Sequence, residues 1–215
     1  MTTSTKFWDK IADKYSKQPI ADEASYQKKL KVTQEYFKPY WSVLEFGCGT
    51  GGTAIIHAPY VKHLRAIDIS SEMIKIAKGK AEAKGIDNVT FEQLTIEELE
   101  VEDCTYDAVL GLSILHLLEN KESAITAVPA SLIAKVYKML KPGGIFVTST
   151  TCMGDAYSWF KLIAPIGRIF GFFPLVKIFT AQHLIESLTD AGFARDYQWQ
   201  QSKDKAIFIV AKKSG

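Results

Sequence analysis

Several features of secreted, membrane-spanning and nucleic-acid-binding proteins are missing from this sequence. Its three cysteines form no Cys-x-x-Cys pair, and residues 1–10 contain no apolar run of the kind found in signal peptides. No cluster of Lys and Arg is long enough to follow a phosphate backbone, and the formal net charge is only +2. We therefore expect a cytoplasmic protein without a nucleic-acid partner, whose thiols are reduced, buried and inert.

A long, uninterrupted hydrophobic run is also missing. Residues 157–179 are rich in Phe, Leu and Ile, but polar and helix-breaking residues such as Lys161, Pro165 and Arg168 interrupt them. A helix that crosses a bilayer needs about 20 mostly uncharged residues, which excludes a transmembrane segment here. This much apolar surface is rarely left in water, so we expect residues 154–179 to form an apolar, lid-like insertion.

What the sequence does contain is a regular alternation of strand and helix patterns. Residues 5–38 predict two amphipathic helices, and five strand patterns follow at helix-length intervals. The predicted strands are Ser42–Phe46, Leu64–Ile69, Val89–Gln93, Tyr106–Leu112 and Ile145–Thr150, the last one preceded by a turn at Lys141–Gly144. This spacing implies parallel pairing through right-handed crossovers, with helices on both faces of the sheet.

The last two strand patterns differ from the first five. Only about five residues separate Ala194–Gln200 from Ala206–Lys212, which is too few for a crossover helix. We therefore expect them to pair as an antiparallel hairpin at one edge of the sheet. The fold class is α/β: a Rossmann-like, doubly wound and mostly parallel seven-stranded sheet that closes with this hairpin, in a single domain over residues 1–215.

A glycine-rich segment, Gly47–Gly52, lies between the first strand and a helix. Glycines there let the backbone turn sharply and approach a ligand at positions where a Cβ atom would clash. Asp68 ends the second strand, where a carboxylate can accept hydrogen bonds from ribose hydroxyls. These features alone also fit NAD, because Gly47, Gly49 and Gly52 match the G-x-G-x-x-G pattern of dinucleotide-binding proteins.

Three further features favour S-adenosylmethionine over a dinucleotide. Glu45 lies just before the glycines, where its carboxylate would attract the ammonium of S-adenosylmethionine and repel a pyrophosphate. About 40 residues, mostly of predicted helix, precede the glycine loop, whereas a dinucleotide-binding half usually begins close to its first strand. The closing antiparallel hairpin is foreign to the ordinary dinucleotide fold.

Several short segments together point to a known family. They are Phe7–Tyr15, Val43–Gly51, Ala66–Ser70, Tyr106–Val109, Leu140–Gly144 and Asp190–Phe193. In this order and spacing, they resemble the class I S-adenosylmethionine-dependent methyltransferases. The resemblance is to the branch of ubiquinone/menaquinone-biosynthesis and small-molecule methyltransferases, and it covers nearly the whole chain. It implies a helical cap (1–40), a cofactor-binding core (41–150), the insertion (154–179), and a closing helix and hairpin (180–215).

The resemblance implies a role for a set of residues at one edge of the sheet. The implied cofactor-binding residues are Tyr15, Glu45, Gly47, Gly49, Gly51, Asp68, Ile69, Thr95, Ile96, Leu112 and Ser113. The glycines would pass under the methionine portion, with Glu45 near its ammonium and Tyr15 closing over the cofactor. Asp68 would hold the ribose hydroxyls, with Ile69 beside the adenine. Thr95 stands where the family usually has an acid that meets the adenine amine.

Two groups of residues are candidates for the acceptor side. His116 follows the fourth strand and could act as a general base; the alternative is a structural histidine that is hydrogen-bonded beneath the cofactor. The expected substrate pocket comprises Trp159, Phe160, Phe170 and Phe173. Alternatives for their segment are helical packing over the sheet and peripheral contact with a bilayer. His57, His63 and His183 have no metal-ligand spacing, and we expect them on the surface or in helices.

The sequence therefore predicts transfer of a methyl group from S-adenosylmethionine to a small, partly apolar acceptor by in-line displacement, which leaves S-adenosylhomocysteine. One alternative is a quinone or lipid acceptor at the membrane surface. Two alternatives from other classes stay open: a non-catalytic cofactor-binding protein and a nicotinamide-dependent oxidoreductase. The sequence leaves the oligomeric state undecided.

Overall fold

The computed structural model describes residues 3–118, 130–152 and 179–215. Within these ranges the α-helices are α1 Thr3–Ser16, α2 Glu23–Tyr36, α3 Gly52–His57, α4 Ser71–Ala83, α5 Ala130–Met139 and α6 Ala181–Asp190. The strands are β1 Ser42–Phe46, β2 His63–Asp68, β3 Val89–Gln93, β4 Tyr106–Leu112, β5 Leu140–Thr150, β6 Phe193–Trp199 and β7 Ile207–Lys213. Short 3₁₀ helices occupy Ala58–Tyr60 and Leu115–Leu117.

All seven strands form one sheet in the order β3-β2-β1-β4-β5-β7-β6. Strands β1 to β5 pair in parallel, and β7 lies antiparallel between β5 and β6. The doubly wound sheet with a closing hairpin at one edge is therefore confirmed. The chain leaves β1 toward β2 on one side and returns to β4 on the other. Ligands of α/β sheets bind at the carboxyl ends of the strands beside such a switch point.

The alternating side chains of β1 divide the interior into two cores. Leu44 and Phe46 pack on the face covered by α5 and α6, together with residues such as Ile133. Val43 packs on the opposite face with α3 and α4, where Ala77 is fully buried. Both faces of the central strands are apolar because helices cover both. The carboxyl ends of β1, β2 and β4 are thus held rigidly beside one another.

The structure differs from the prediction at Lys141–Gly144, which belongs to β5 instead of forming a turn before it. Tyr106 pairs with Leu140 and Ala108 with Ile145, so the residues between them form an irregularity within a continuous strand. Gly143 has a φ of 74°, in the left-handed region that glycine adopts without strain. Pairing with β4 on both sides of the irregularity explains why the strand begins five residues earlier than predicted.

One other expectation needs correction. Cys48 and Cys152 are buried as expected, but Cys104 is exposed, because it lies in the surface loop before β4 with a φ of 56°. His57 does lie in a helix, yet its side chain is fully buried and packs edge-on against Phe37.

The predicted insertion is described only at its last residue. Residues 154–178 lie outside the described ranges, and Phe179 is buried in the core beside α6. Among the helices that the structure describes, none is both long and apolar enough to cross a membrane.

Candidate cofactor site

The glycine loop turns sharply between β1 and α3. Gly47, Gly49 and Gly51 all have φ between 52° and 73°, in the left-handed region. A Cβ atom at Gly51 would lie 2.7 Å from Cβ of Ala77, and one at Gly47 would lie 2.5 Å from Cγ1 of Ile114. At Gly49 the nearest atom would be Cε1 of Tyr15, at 3.8 Å. Two of the glycines are therefore required by packing, whereas a Cβ atom at Gly49 would make only an ordinary contact with Tyr15.

Asp68 fixes the loop to the end of β2. Its Oδ2 accepts a hydrogen bond from the Gly49 amide at 2.8 Å, and its Oδ1 accepts one from the Ser70 amide at 2.9 Å. Burial raises the pKa of Asp68, while these two hydrogen bonds lower it in part. Two carboxylate oxygens can accept about four hydrogen bonds, so Asp68 keeps capacity for ribose hydroxyls.

Glu45 is the least compensated polar group beside the loop. Its side chain is only 3% exposed, and its Oε2 has no hydrogen-bond partner among the described residues. Burial, followed by the negative charge of Asp68, raises the pKa of Glu45 to about 8. Without a partner this acid therefore holds a proton near pH 7, and a cationic group beside it would favour the ionised carboxylate. The ammonium of S-adenosylmethionine fits this requirement, and a pyrophosphate does not.

Two tyrosines of the N-terminal helices lie over the loop. Tyr15 of α1 lies beside Gly49 with 47% of its surface still exposed, and its partial burial and the charge of Asp68 raise its pKa. Tyr26 of α2 lies with its hydroxyl 3.1 Å from Oγ1 of Thr53, in the first turn of α3. Burial and the charge of Glu45 raise the pKa of Tyr26, although its hydrogen bond with Thr53 lowers it in part.

The contribution of Tyr26 was not predicted from the sequence. Its four-residue spacing from Leu30 indicates an apolar helix face, which is the ordinary pattern of core packing. The only hint in the sequence is the phenolic hydroxyl itself, since a half-buried tyrosine usually hydrogen-bonds through it.

Of the residues predicted to lie near the adenine, some are placed beside the site and others are not. Ile69 is half-buried beside Asp68, but Ile96 is 3% exposed and packs in the core. The Thr95 hydroxyl donates to Oε2 of Glu98 at 2.9 Å and accepts from the Glu98 amide at 3.1 Å. The Thr95 hydroxyl has one lone pair left for an adenine amine, and Glu98 brings a carboxylate next to it. The role of Thr95 stays a prediction, and Glu98 is a residue that the motif comparison missed.

The end of β4 brings Leu112, Ser113 and His116 to the same edge of the sheet. Ser113 has a φ of 58°, and its amide donates to the Ser149 carbonyl at 2.6 Å. His116 Nδ1 lies 3.0 Å from Oγ1 of Thr150, and burial lowers the pKa of His116 to about 4. This imidazole is neutral near pH 7 and a weak base, which favours the structural role over the general base. Both roles stay predictions.

The four aromatic residues of the expected substrate pocket, Trp159, Phe160, Phe170 and Phe173, lie outside the described residues. The side of the site that would receive an acceptor is therefore described only at β4, β5 and the N-terminal helices.

Known proteins are similar to this chain in sequence. Residues 38–208 match a family model described as a methyltransferase domain. The uncharacterized methyltransferase YcgJ of Bacillus subtilis is 29% identical over 147 residues, which are 68% of this chain and 54% of that protein. A demethylmenaquinone methyltransferase of Symbiobacterium thermophilum is 26% identical over 181 residues, which are 81% of this chain and 65% of that protein. The chain thus covers less than two thirds of each of these relatives.

The fold is also similar to solved structures. The crystal structure of the Bacillus subtilis YcgJ protein matches with a TM-score of 0.71 at 18% identity, and the match covers 88% of this chain and 99% of that one. At this low identity the likeness shows the Rossmann-like fold alone.

Proposed function

We propose that this chain, which belongs to the methyltransferase domain family, is a class I S-adenosylmethionine-dependent enzyme of the small-molecule type and methylates a small, partly apolar acceptor in the cytoplasm. The observation that carries this proposal is the buried Glu45 carboxylate, whose Oε2 lacks a partner beside the glycine loop. A site built for a pyrophosphate would not place an unpaired carboxylate there. The nicotinamide-dependent alternative therefore lacks support from the site.

The chain's own residues would hold the cofactor at both ends. Glu45 would pair with the ammonium, and Asp68 would accept hydrogen bonds from ribose hydroxyls. The missing side chain at Gly49 would let the ligand approach the backbone, with Tyr15 on the other side of it. S-adenosylmethionine, when bound, supplies a methyl carbon that its sulfonium has already activated.

Catalysis then depends mainly on alignment and on the exclusion of water. Holding the acceptor in line with the methyl carbon lowers the barrier without a dedicated acid or base. This agrees with the neutral, weakly basic state of His116, which is hydrogen-bonded to Thr150 at the end of β5. An amine that is already neutral or a thiolate would need no base at all.

A relative supports an apolar acceptor. The Symbiobacterium thermophilum protein is named a demethylmenaquinone methyltransferase, which makes a quinone one candidate for the acceptor of this chain. The apolar residues 154–179 would suit such an acceptor, in a pocket or at a membrane surface.

The acceptor is identified by incubating the protein with methyl-labelled S-adenosylmethionine and a small-molecule extract, followed by mass spectrometry of the labelled product. We expect label in a small apolar molecule, and no label with the Asp68→Ala variant. If added vesicles raise the rate with the extracted acceptor, the reaction takes place at the membrane surface. Label that enters only protein or RNA, or no product at all, would contradict the proposed function.

A further inference from the structure

In the part of the chain that the structure describes, α1 has few fully buried apolar side chains. Of its described side chains, Ser4, Thr5 and Ala12 are buried, whereas Phe7 and Trp8 are only half-buried. A helix with so little buried apolar surface belongs to the least stable part of a fold. Its position over the cofactor site must therefore depend strongly on specific polar contacts.

A polar contact among the described residues joins Asp9 of α1 to the N-terminus of α4. Oδ1 of Asp9 accepts hydrogen bonds from the Ser70 hydroxyl at 2.7 Å and from the Glu72 amide at 3.2 Å, and the Ser71 hydroxyl is 3.4 Å away. The first amides of a helix have no partner within the helix, and its dipole favours a negative charge there. A carboxylate from a different helix thus completes the start of α4.

Ser70 connects this contact to the cofactor site. Its hydroxyl donates to Asp9, whereas its amide donates to Oδ1 of Asp68 at 2.9 Å. The same hydroxyl accepts from the Met73 amide at 3.1 Å, so Ser70 is fixed as the cap of α4. After burial, the nearby charge of Asp9 contributes to the raised pKa of Asp68, which indicates that the two carboxylates are close.

The same helix carries Tyr15, about two turns beyond Asp9. The Tyr15 ring packs edge-on against Trp8 at 6.3 Å and lies over Gly49. The Gly49 amide in turn donates to Oδ2 of Asp68. The contacts therefore form a closed ring that runs from Asp68 through Ser70 to α1 and returns through Gly49.

We propose that Asp9 is a positioning residue that holds α1 closed over the bound cofactor, so that release of S-adenosylhomocysteine requires the contact between Asp9 and α4 to break. This inference rests on the proposed function, because the ligand that α1 covers is the cofactor. Asp9 itself does not touch the reacting atoms. It acts through Tyr15, whose ring it keeps above Gly49.

The test compares Asp9→Ala with Asp13→Ala, a matched control on the same helix. The Asp13 carboxylate is exposed, and its one ion pair among the described residues is with Lys17, just past the end of α1. In stopped-flow displacement we expect Asp9→Ala to release S-adenosylhomocysteine about tenfold faster, since one hydrogen bond to a charged group contributes roughly that factor. Asp9→Asn keeps an oxygen acceptor, so its release rate should lie between those of Asp9→Ala and the unsubstituted protein. The release rate of Asp13→Ala should equal that of the unsubstituted protein.

A second measurement separates this inference from the proposed function. In ligand-free protein, trypsin should cut α1 at its lysines faster in Asp9→Ala than in Asp13→Ala, while the unfolding temperature of the remaining fold changes little. Equal release rates for Asp9→Ala and the unsubstituted protein, or equal effects of both substitutions, would overturn the role of Asp9. If the unsubstituted protein does not bind S-adenosylhomocysteine, the proposed function fails, and the trypsin comparison still decides whether Asp9 holds α1.

Discussion

Glu45 carries an energetic cost in the protein without its cofactor. Burial raises the pKa of Glu45 from 4.5 to about 8. Between these two pH values Glu45 keeps its proton in the native protein and loses it in the unfolded chain. The contribution of Glu45 to stability is therefore fully present below pH 4.5 and is lost as the pH rises through 8. Binding energy from a cationic ligand offsets this cost.

Glu45→Gln should stabilise the cofactor-free protein at alkaline pH. The amide removes the buried charge at nearly constant shape, so we expect the stability advantage of Glu45→Gln over the unsubstituted protein to be larger at pH 9 than at pH 6 by roughly 3 kcal/mol. Urea unfolding at the two pH values measures the difference, with exposed Glu82→Gln as the control. A difference that does not grow with pH would show that Glu45 is not a buried, uncompensated carboxylate.

His57 should lower the stability of the protein at acid pH, whereas Glu45 lowers it at alkaline pH. Its ring is fully buried without a hydrogen-bond partner among the described residues, and burial lowers its pKa from 6.5 to about 4. Its contribution to stability is therefore present above pH 6.5 and lost as the pH falls through 4. As the pH falls from 7.5 to 5, we expect the unsubstituted protein to lose roughly 2 kcal/mol more of its free energy of unfolding than His57→Leu does.

Thermal unfolding across this pH range tests the expectation for His57, and His183→Leu on α6 is the control because His183 is exposed. Parallel stability curves for His57→Leu and the unsubstituted protein would contradict it.

In the glycine loop, Gly51 is needed for packing and Gly49 for ligand binding. In Gly51→Ala, the added Cβ would lie 2.7 Å from Ala77 and 2.8 Å from Phe91, so we expect a loss of roughly 3 kcal/mol of stability. In Gly49→Ala, the methyl group would lie 3.8 Å from Cε1 of Tyr15, which is an ordinary contact, so stability should fall by only about 1 kcal/mol for the left-handed backbone. Affinity for S-adenosylhomocysteine should nevertheless fall at least about tenfold, because the methyl group occupies the ligand's side of the loop.

Gly52→Ala is the control for this series, because nothing lies within 4 Å of its added Cβ and the residue begins α3. Denaturant unfolding and calorimetric titration measure the two quantities. Equal losses of affinity and stability in Gly49→Ala and Gly51→Ala would show that the loop does not divide these tasks.

The elements were predictable where local patterns determine them. The bounds of β1, β3 and β4 match the prediction, because short apolar runs between turn residues define them. The start of β5 was not predictable, because Gly143 and Gly144 read locally as a turn, and only pairing with β4 extends the strand to Leu140. Contacts between distant segments decided that boundary.

At the scale of the whole molecule, the position of the site could be predicted from the sequence, but the contacts that place α1 and α2 beside it could not. Parallel strands place Glu45, Asp68 and Ser113 at one edge of the sheet, so their proximity could be predicted. The contacts of Asp9 with α4 and of Tyr26 with Thr53 join residues far apart in the chain. No local periodicity encodes such contacts, since both helices read simply as amphipathic.

The most direct measurement is calorimetric titration of the protein at pH 7 with S-adenosylhomocysteine and, separately, with NAD, in two buffers that differ in ionisation enthalpy. We expect S-adenosylhomocysteine to bind with release of roughly one proton, because its ammonium replaces the proton that Glu45 holds at this pH. The Glu45→Gln variant should bind more weakly and release none. Binding of NAD without binding of S-adenosylhomocysteine would contradict the assignment of this site to a methyl donor.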